Sequence, residues 1–60
     1  VSTVYNPEAD AIAEIERLER DARDLRRRIE HARGETDKRV LSRQLTDIDD
    51  RIKYLRARLP

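Results

Sequence analysis

Two apolar stripes with the same heptad spacing run through the chain, and their relative phase decides what it can fold into. The first comprises Ala11, Ile15, Leu18, Ala22, Leu25, Ile29 and Ala32, at alternating steps of four and three residues. The second begins after the only glycine, Gly34, and comprises Leu41, Leu45, Ile48, Ile52, Leu55 and Leu59 at the same steps. Each is the a/d seam of a coiled coil. With Ile15, Ala22 and Ile29 at a, an unbroken helix would place its next a positions at Thr36, Arg43 and Asp50. The a positions of the second stripe are Leu45, Ile52 and Leu59, two residues later. Coiled coils absorb insertions of three or four residues by local over- or underwinding, and two is neither. A single rod therefore fails on register.

A reversal at the glycine has to satisfy a different condition, because facing residues must then have position numbers with a constant sum. Ile29 pairs with Leu41, Leu25 with Leu45, Ala22 with Ile48, Leu18 with Ile52, Ile15 with Leu55 and Ala11 with Leu59. Every pair adds to 70. The expected fold is all-α, an antiparallel two-helix hairpin closed along a coiled-coil seam of about six layers. Its parts are an extended tail over 1–6, helix one over 7–33, a turn over 34–36 and helix two over 37–59. Asn6 suits an N-cap, Pro7 the first helical position, and Glu8 and Asp10 the first turn, where the helix dipole favours negative charge. Thr36 or Asp37 is expected to cap helix two, Pro60 to close it, and Gly34 to end helix one in a left-handed conformation.

Charged side chains make up 45% of the chain, so the flanks of the seam are ionic. The facing g positions suggest Glu14 with Arg58 and Asp21 with Arg51, pairs that specify register more than they stabilise. On the other flank Glu19 approaches Asp49, a like-charge mismatch that Arg23, Arg56 or Lys53 can relieve. Within the helices Glu16–Arg20, Glu19–Arg23, Asp24–Arg28, Asp47–Arg51 and Asp49–Lys53 have the favourable acid-first i,i+4 order.

Thirteen seam residues, three of them Ala, supply nearly all the apolar content of both helices. A two-helix seam leaves part of each side chain wet, and a 60-residue chain with no Cys for disulfides and no structural metal cluster has little else to hold it. More apolar surface has to come from elsewhere. The fold is therefore expected to be completed by self-association into a helical bundle or by docking on a protein partner. The apolar residues off the seam are the candidates for that contact: Val4 and Tyr5 in the tail, Ile12 on helix one, and Val40 and Tyr54 on helix two. The small Ala11 and Ala22 would let another helix come close.

Catalytic chemistry has no foothold. His31 is the only histidine and falls outside the seam, Cys is absent, and neither Ser2 nor Ser42 has a His–acid pair fixed near it. Asp47, Asp49 and Asp50 lie in a helical pattern without the glycine of a calcium loop, and no glycine-rich phosphate loop exists. The expectation is no enzyme, no cofactor, no metal and no small-molecule substrate. No apolar run is long enough to span a bilayer, and no signal-peptide core is visible, so the protein is expected in the cytoplasm or within a macromolecular assembly, away from membranes. The chain starts at Val1 rather than Met, as expected of a processed chain or a fragment.

Charge is unevenly spread along the hairpin. Residues 23–43 carry a net +4 and residues 1–22 a net −4. Folding gathers Arg26, Arg27, Arg28, Lys38, Arg39 and Arg43 near the turn. That end could contact phosphates, or meet the acidic end of a second copy lying antiparallel. In length and layout the chain is similar to Rop-type proteins, although no motif is shared residue by residue. That resemblance implies a dimeric four-helix bundle and RNA binding. The leading expectation from the residues is a non-enzymatic hairpin that serves assembly, as a small structural or adaptor subunit of a larger complex such as a phage particle or a bacterial machine. The alternative is a dimeric hairpin binding RNA or DNA through the basic turn end. A third reading is an excised coiled-coil segment with no role of its own.

Overall fold

A computed structural model describes residues 6–60. Among them are two helices and no strand: α1 over Pro7–His31 and α2 over Glu35–Ala57, packed against each other as an antiparallel hairpin. The expected tail over 1–6 lies, apart from Asn6, outside the described residues, as do Val4 and Tyr5.

The start of α1 follows from three adjacent residues. Asn6 is extended, and its side-chain oxygen accepts from the amides of Glu8 at 3.1 Å and Ala9 at 3.2 Å. Pro7 occupies the first turn, where its missing N–H costs nothing. Glu8 and Asp10 place negative charge at the positive end of the dipole, and Arg28 and His31 place basic side chains at the other end.

The turn differs from the sequence expectation. α1 ends at His31 rather than 33, and α2 begins at Glu35 rather than 37, so Ala32, Arg33 and Gly34 form the link. Neither Thr36 nor Asp37 is a cap, since both lie inside the first turn of α2. Gly34 holds the N-cap position itself, with no side-chain hydrogen bond, and its carbonyl accepts from the Lys38 amide at 3.0 Å. The left-handed conformation expected of Gly34 is absent. Its φ is −127° and its ψ 154°, ordinary extended backbone, and Ala32 is extended as well. Two extended residues share the reversal, so neither has to turn left. α2 also stops early, at Ala57 rather than 59, in a tightened turn where the amides of Arg58 and Leu59 donate to the carbonyls of Leu55 and Arg56.

One stability prediction follows. A Cβ added at Gly34 meets nothing within 4 Å, and its φ suits any residue. Serine is a better N-cap than glycine and has fewer unfolded conformations to lose. Gly34→Ser is thus expected to stabilise the hairpin by about 0.5–1 kcal/mol, read from the urea midpoint. A loss of similar size would mean that position 34 needs a left-handed backbone.

The seam is most tightly closed in the half remote from the turn. Ile15, Leu18, Ile52 and Leu55 form the buried cluster, with Ile48 and Leu59 packed partly buried against it. Ala22 and Leu25 are buried too, whereas Ala11, Ile29, Ala32, Leu41 and Leu45 are half-buried. Two helices can shield only the strip where they touch, so the layers next to the turn stay partly wet.

Candidate interaction faces

The ionic flanks determine what each face of the hairpin offers. On one flank Arg56 donates to Glu19 at 2.7 Å, and Arg26 reaches both carboxylate oxygens of Asp49 at 3.4 and 3.5 Å. The like-charge contact of Glu19 with Asp49 is thereby relieved, by Arg56 and by Arg26, a residue the sequence reasoning did not propose for it. Both pairs have position numbers adding to 75 rather than the 70 of the seam. The e positions of the two helices pair at sums of 68 or 75, and a sum of 68 would set Glu19 against Asp49.

On the opposite flank Arg51 donates to Glu14 at 3.1 Å. The expected pairs Glu14–Arg58 and Asp21–Arg51 do not form. Tyr54 explains the exchange. Its hydroxyl receives a 2.7 Å hydrogen bond from Arg58, and its ring lies 5.3 Å from the Arg58 guanidinium and 5.2 Å from that of Arg51. Arg58 is thus held back from Glu14, and Arg51 takes its place; Asp21 turns to Arg17 at 3.5 Å. Of the expected i,i+4 pairs, Asp24–Arg28 forms at 3.0 Å, while Glu19, Asp49 and Arg51 are drawn across to the other helix. Exposed pairs of this kind are each worth about 0–1 kcal/mol, so their main effect is on register.

Between the Glu19–Arg56 and Arg26–Asp49 bridges lies a groove of about 310 Å³. Its floor is Ala22 and Ile52, and its rim is Glu19, Arg23 and Arg26 from α1 with Asp49, Lys53 and Arg56 from α2. Ala22 is only 2% exposed, so the groove opens among the rim side chains rather than onto its methyl group. Among the described residues Arg23 and Lys53 have no ion-pair partner, and neither has Glu16, one heptad before Arg23 on the same stripe. The cations on this rim outnumber the anions by four to two.

The candidate contact residues do not form one patch. Among the described residues Ile12, Val40 and Tyr54 are the exposed large hydrophobics, at 46%, 53% and 50%. Ile12 lies one heptad before Glu19 and so on the grooved face. Tyr54 belongs to the Arg51–Arg58 side, and Val40 borders a shallow depression with Arg28, Asp37 and Leu41 on that same side.

The six basic residues near the turn are likewise dispersed. Arg26 bridges to Asp49, Arg28 to Asp24, and Lys38 approaches Glu35 at 3.9 Å. Arg27, Arg39 and Arg43 are exposed without an ion-pair partner among the described residues. Arg27 and Arg43 both sit at f positions, which face away from the seam on opposite outer sides of the hairpin. The basic end is a collar rather than a single surface.

Among the described residues no helix is long and apolar enough to cross a membrane, and no group of three or more His, Asp or Glu side chains could hold a metal ion. Compared with protein-family models, curated proteins and solved structures, the chain gives no match.

Proposed function

We propose that the hairpin is a non-enzymatic assembly element whose fold is completed by another helical surface. One observation carries this reading. Among the described residues only Ile15, Leu18, Ala22, Leu25, Ile52 and Leu55 are buried, while the rest of the seam is half-open and three large apolar side chains stand in solvent. A pair of helices with so little enclosed apolar surface gains most from a third and fourth helix laid across its seam. The chemistry it performs is contact: a fixed pattern of apolar and charged positions, presented on two rigid helices.

Nucleic-acid binding is the second reading, supported by Arg27, Arg39 and Arg43, which are exposed and free of ion pairs among the described residues. Phosphate contacts release counterions, so such binding weakens steeply with salt. Fluorescence titration of a labelled RNA stem-loop and a DNA duplex, at about 50 and about 200 mM NaCl, separates the two. The assembly reading expects no saturable binding at the higher salt, and a sedimenting mass above the 7.1 kDa of one chain in the same buffer. Saturable, steeply salt-dependent binding by a protein of monomer mass would replace assembly with nucleic-acid recognition.

A further inference from the structure

We infer that the surface completing the fold is a second copy of this chain, packed antiparallel on the grooved face so that α1 lies against α1 of its neighbour, centred near Ala22. The inference rests on the assembly reading and specifies its partner and face. Along this face α1 carries Ile12, Glu19, Arg26 and Arg33 on one stripe and Ala9, Glu16, Arg23 and Glu30 on the adjacent one. A two-fold axis across α1 pairs residues of the two copies whose numbers have a constant sum, and the heptad permits only sums seven apart. At 42, Glu19 meets Arg23 of the second copy and Glu16 meets Arg26, each contact occurring twice, with no like-charged pair between the stripes. Sliding one heptad in one direction opposes Glu19 to Glu16. Sliding it in the other opposes Glu19 to Glu30 and Arg26 to Arg23. Register is therefore written into the charges.

Three further observations agree. Among the described residues Glu16 and Arg23 are without ion-pair partners within one hairpin, and this register supplies one for each. The closest approach of the helices falls beside the groove between the Glu19–Arg56 and Arg26–Asp49 bridges, which has room for a neighbour's side chains. Ile12 is brought to within one residue of facing the half-buried Ile29, so an exposed apolar side chain is covered. At longer range the antiparallel arrangement lays the +4 turn half of each hairpin over the remote half of the other, where residues 1–22 and 44–60 together carry −3. A parallel pair would instead crowd both basic turns together.

The decisive variant is E16R/R23E. It leaves the net charge and the observed intrachain ion pairs unchanged, and makes all four contacts across the two-fold like-charged. It also sets two like-charged i,i+4 neighbours on α1, so helicity is read alongside mass. Its self-association, measured by sedimentation, is expected to be weaker by roughly tenfold or more than that of the wild type. Orientation is read separately with E16C/R26C. These positions are about 15 Å apart on one helix, too far for a disulfide within the chain. Oxidation with diamide is expected to give a covalent dimer joined by two disulfides. Wild-type association of E16R/R23E would overturn this face while leaving assembly standing. Loss of association in E16R/R23E without cross-linking of E16C/R26C would overturn the antiparallel arrangement. A wild type that is monomeric and fully helical at about 100 μM would overturn the assembly reading, and the dimer with it.

Discussion

Deleting Gly34 and Glu35 is expected to turn the hairpin into one continuous helix. Ala32 and Leu41 are nine residues apart, and removing two makes the interval one heptad. Both seams then share a single phase from Ala11 to Leu59, with Lys38 as the only charged residue on it. The variant can no longer fold back without misaligning its layers, because the link loses Gly34 and α2 loses its first residue, Glu35. It can satisfy its apolar stripe only against another chain. A helix of about 50 residues is about 75 Å long, against about 37 Å for the 25 residues of α1. Small-angle scattering and sedimentation should report an elongated coiled coil with an abruptly increased maximum dimension. An unchanged compact particle would mean that the phase difference between the stripes is not what dictates the reversal.

The second large effect is expected at the centre of the seam. Leu18 faces Ile52 in the buried cluster, with Ile15 and Leu55 as the next layer. Truncating a buried Leu or Ile to Ala costs about 2–5 kcal/mol, from lost burial plus the cavity left behind. A domain this small has a total stability of about the same size. Leu18→Ala and Ile52→Ala are each expected to leave most of the chain unfolded even at about 100 μM, where the wild type should be associated and helical, seen as loss of the 222 nm helical signal. Val40→Ala, at a side chain 53% exposed, should change it little. Equal effects at Leu18 and Val40 would mean that the seam is not the core.

The hairpin was legible because two independent regularities agreed, the phase shift between the stripes and the constant sum of facing positions. Both are enforced by apolar burial, which stabilises this chain more than any other interaction open to it. The link was less legible. Many three-residue connections join antiparallel helices, and the choice between a left-handed glycine and two extended residues turns on small differences that composition does not record. The ion pairs were least legible. Arginine is long enough to reach several carboxylates, so Arg51 reached Glu14 once Tyr54 had engaged Arg58. Tyr54 itself looked from its spacing like a contact residue, and nothing in the heptad pattern signalled its hold on two arginines. Ala22 was visible as a small residue in the seam. Arg23 and Lys53, the rim cations beside it without an ion-pair partner among the described residues, stand out only because Glu19 and Asp49 are occupied from the other helix.

The most direct measurement records helicity and sedimenting mass together as the chain is diluted from about 100 μM to about 1 μM. If the hairpin is completed by another copy, helicity falls as the mass drops toward that of one chain, and the two transitions coincide. A monomer that stays fully helical over the whole range would contradict this, because the two-helix seam would then be sufficient alone.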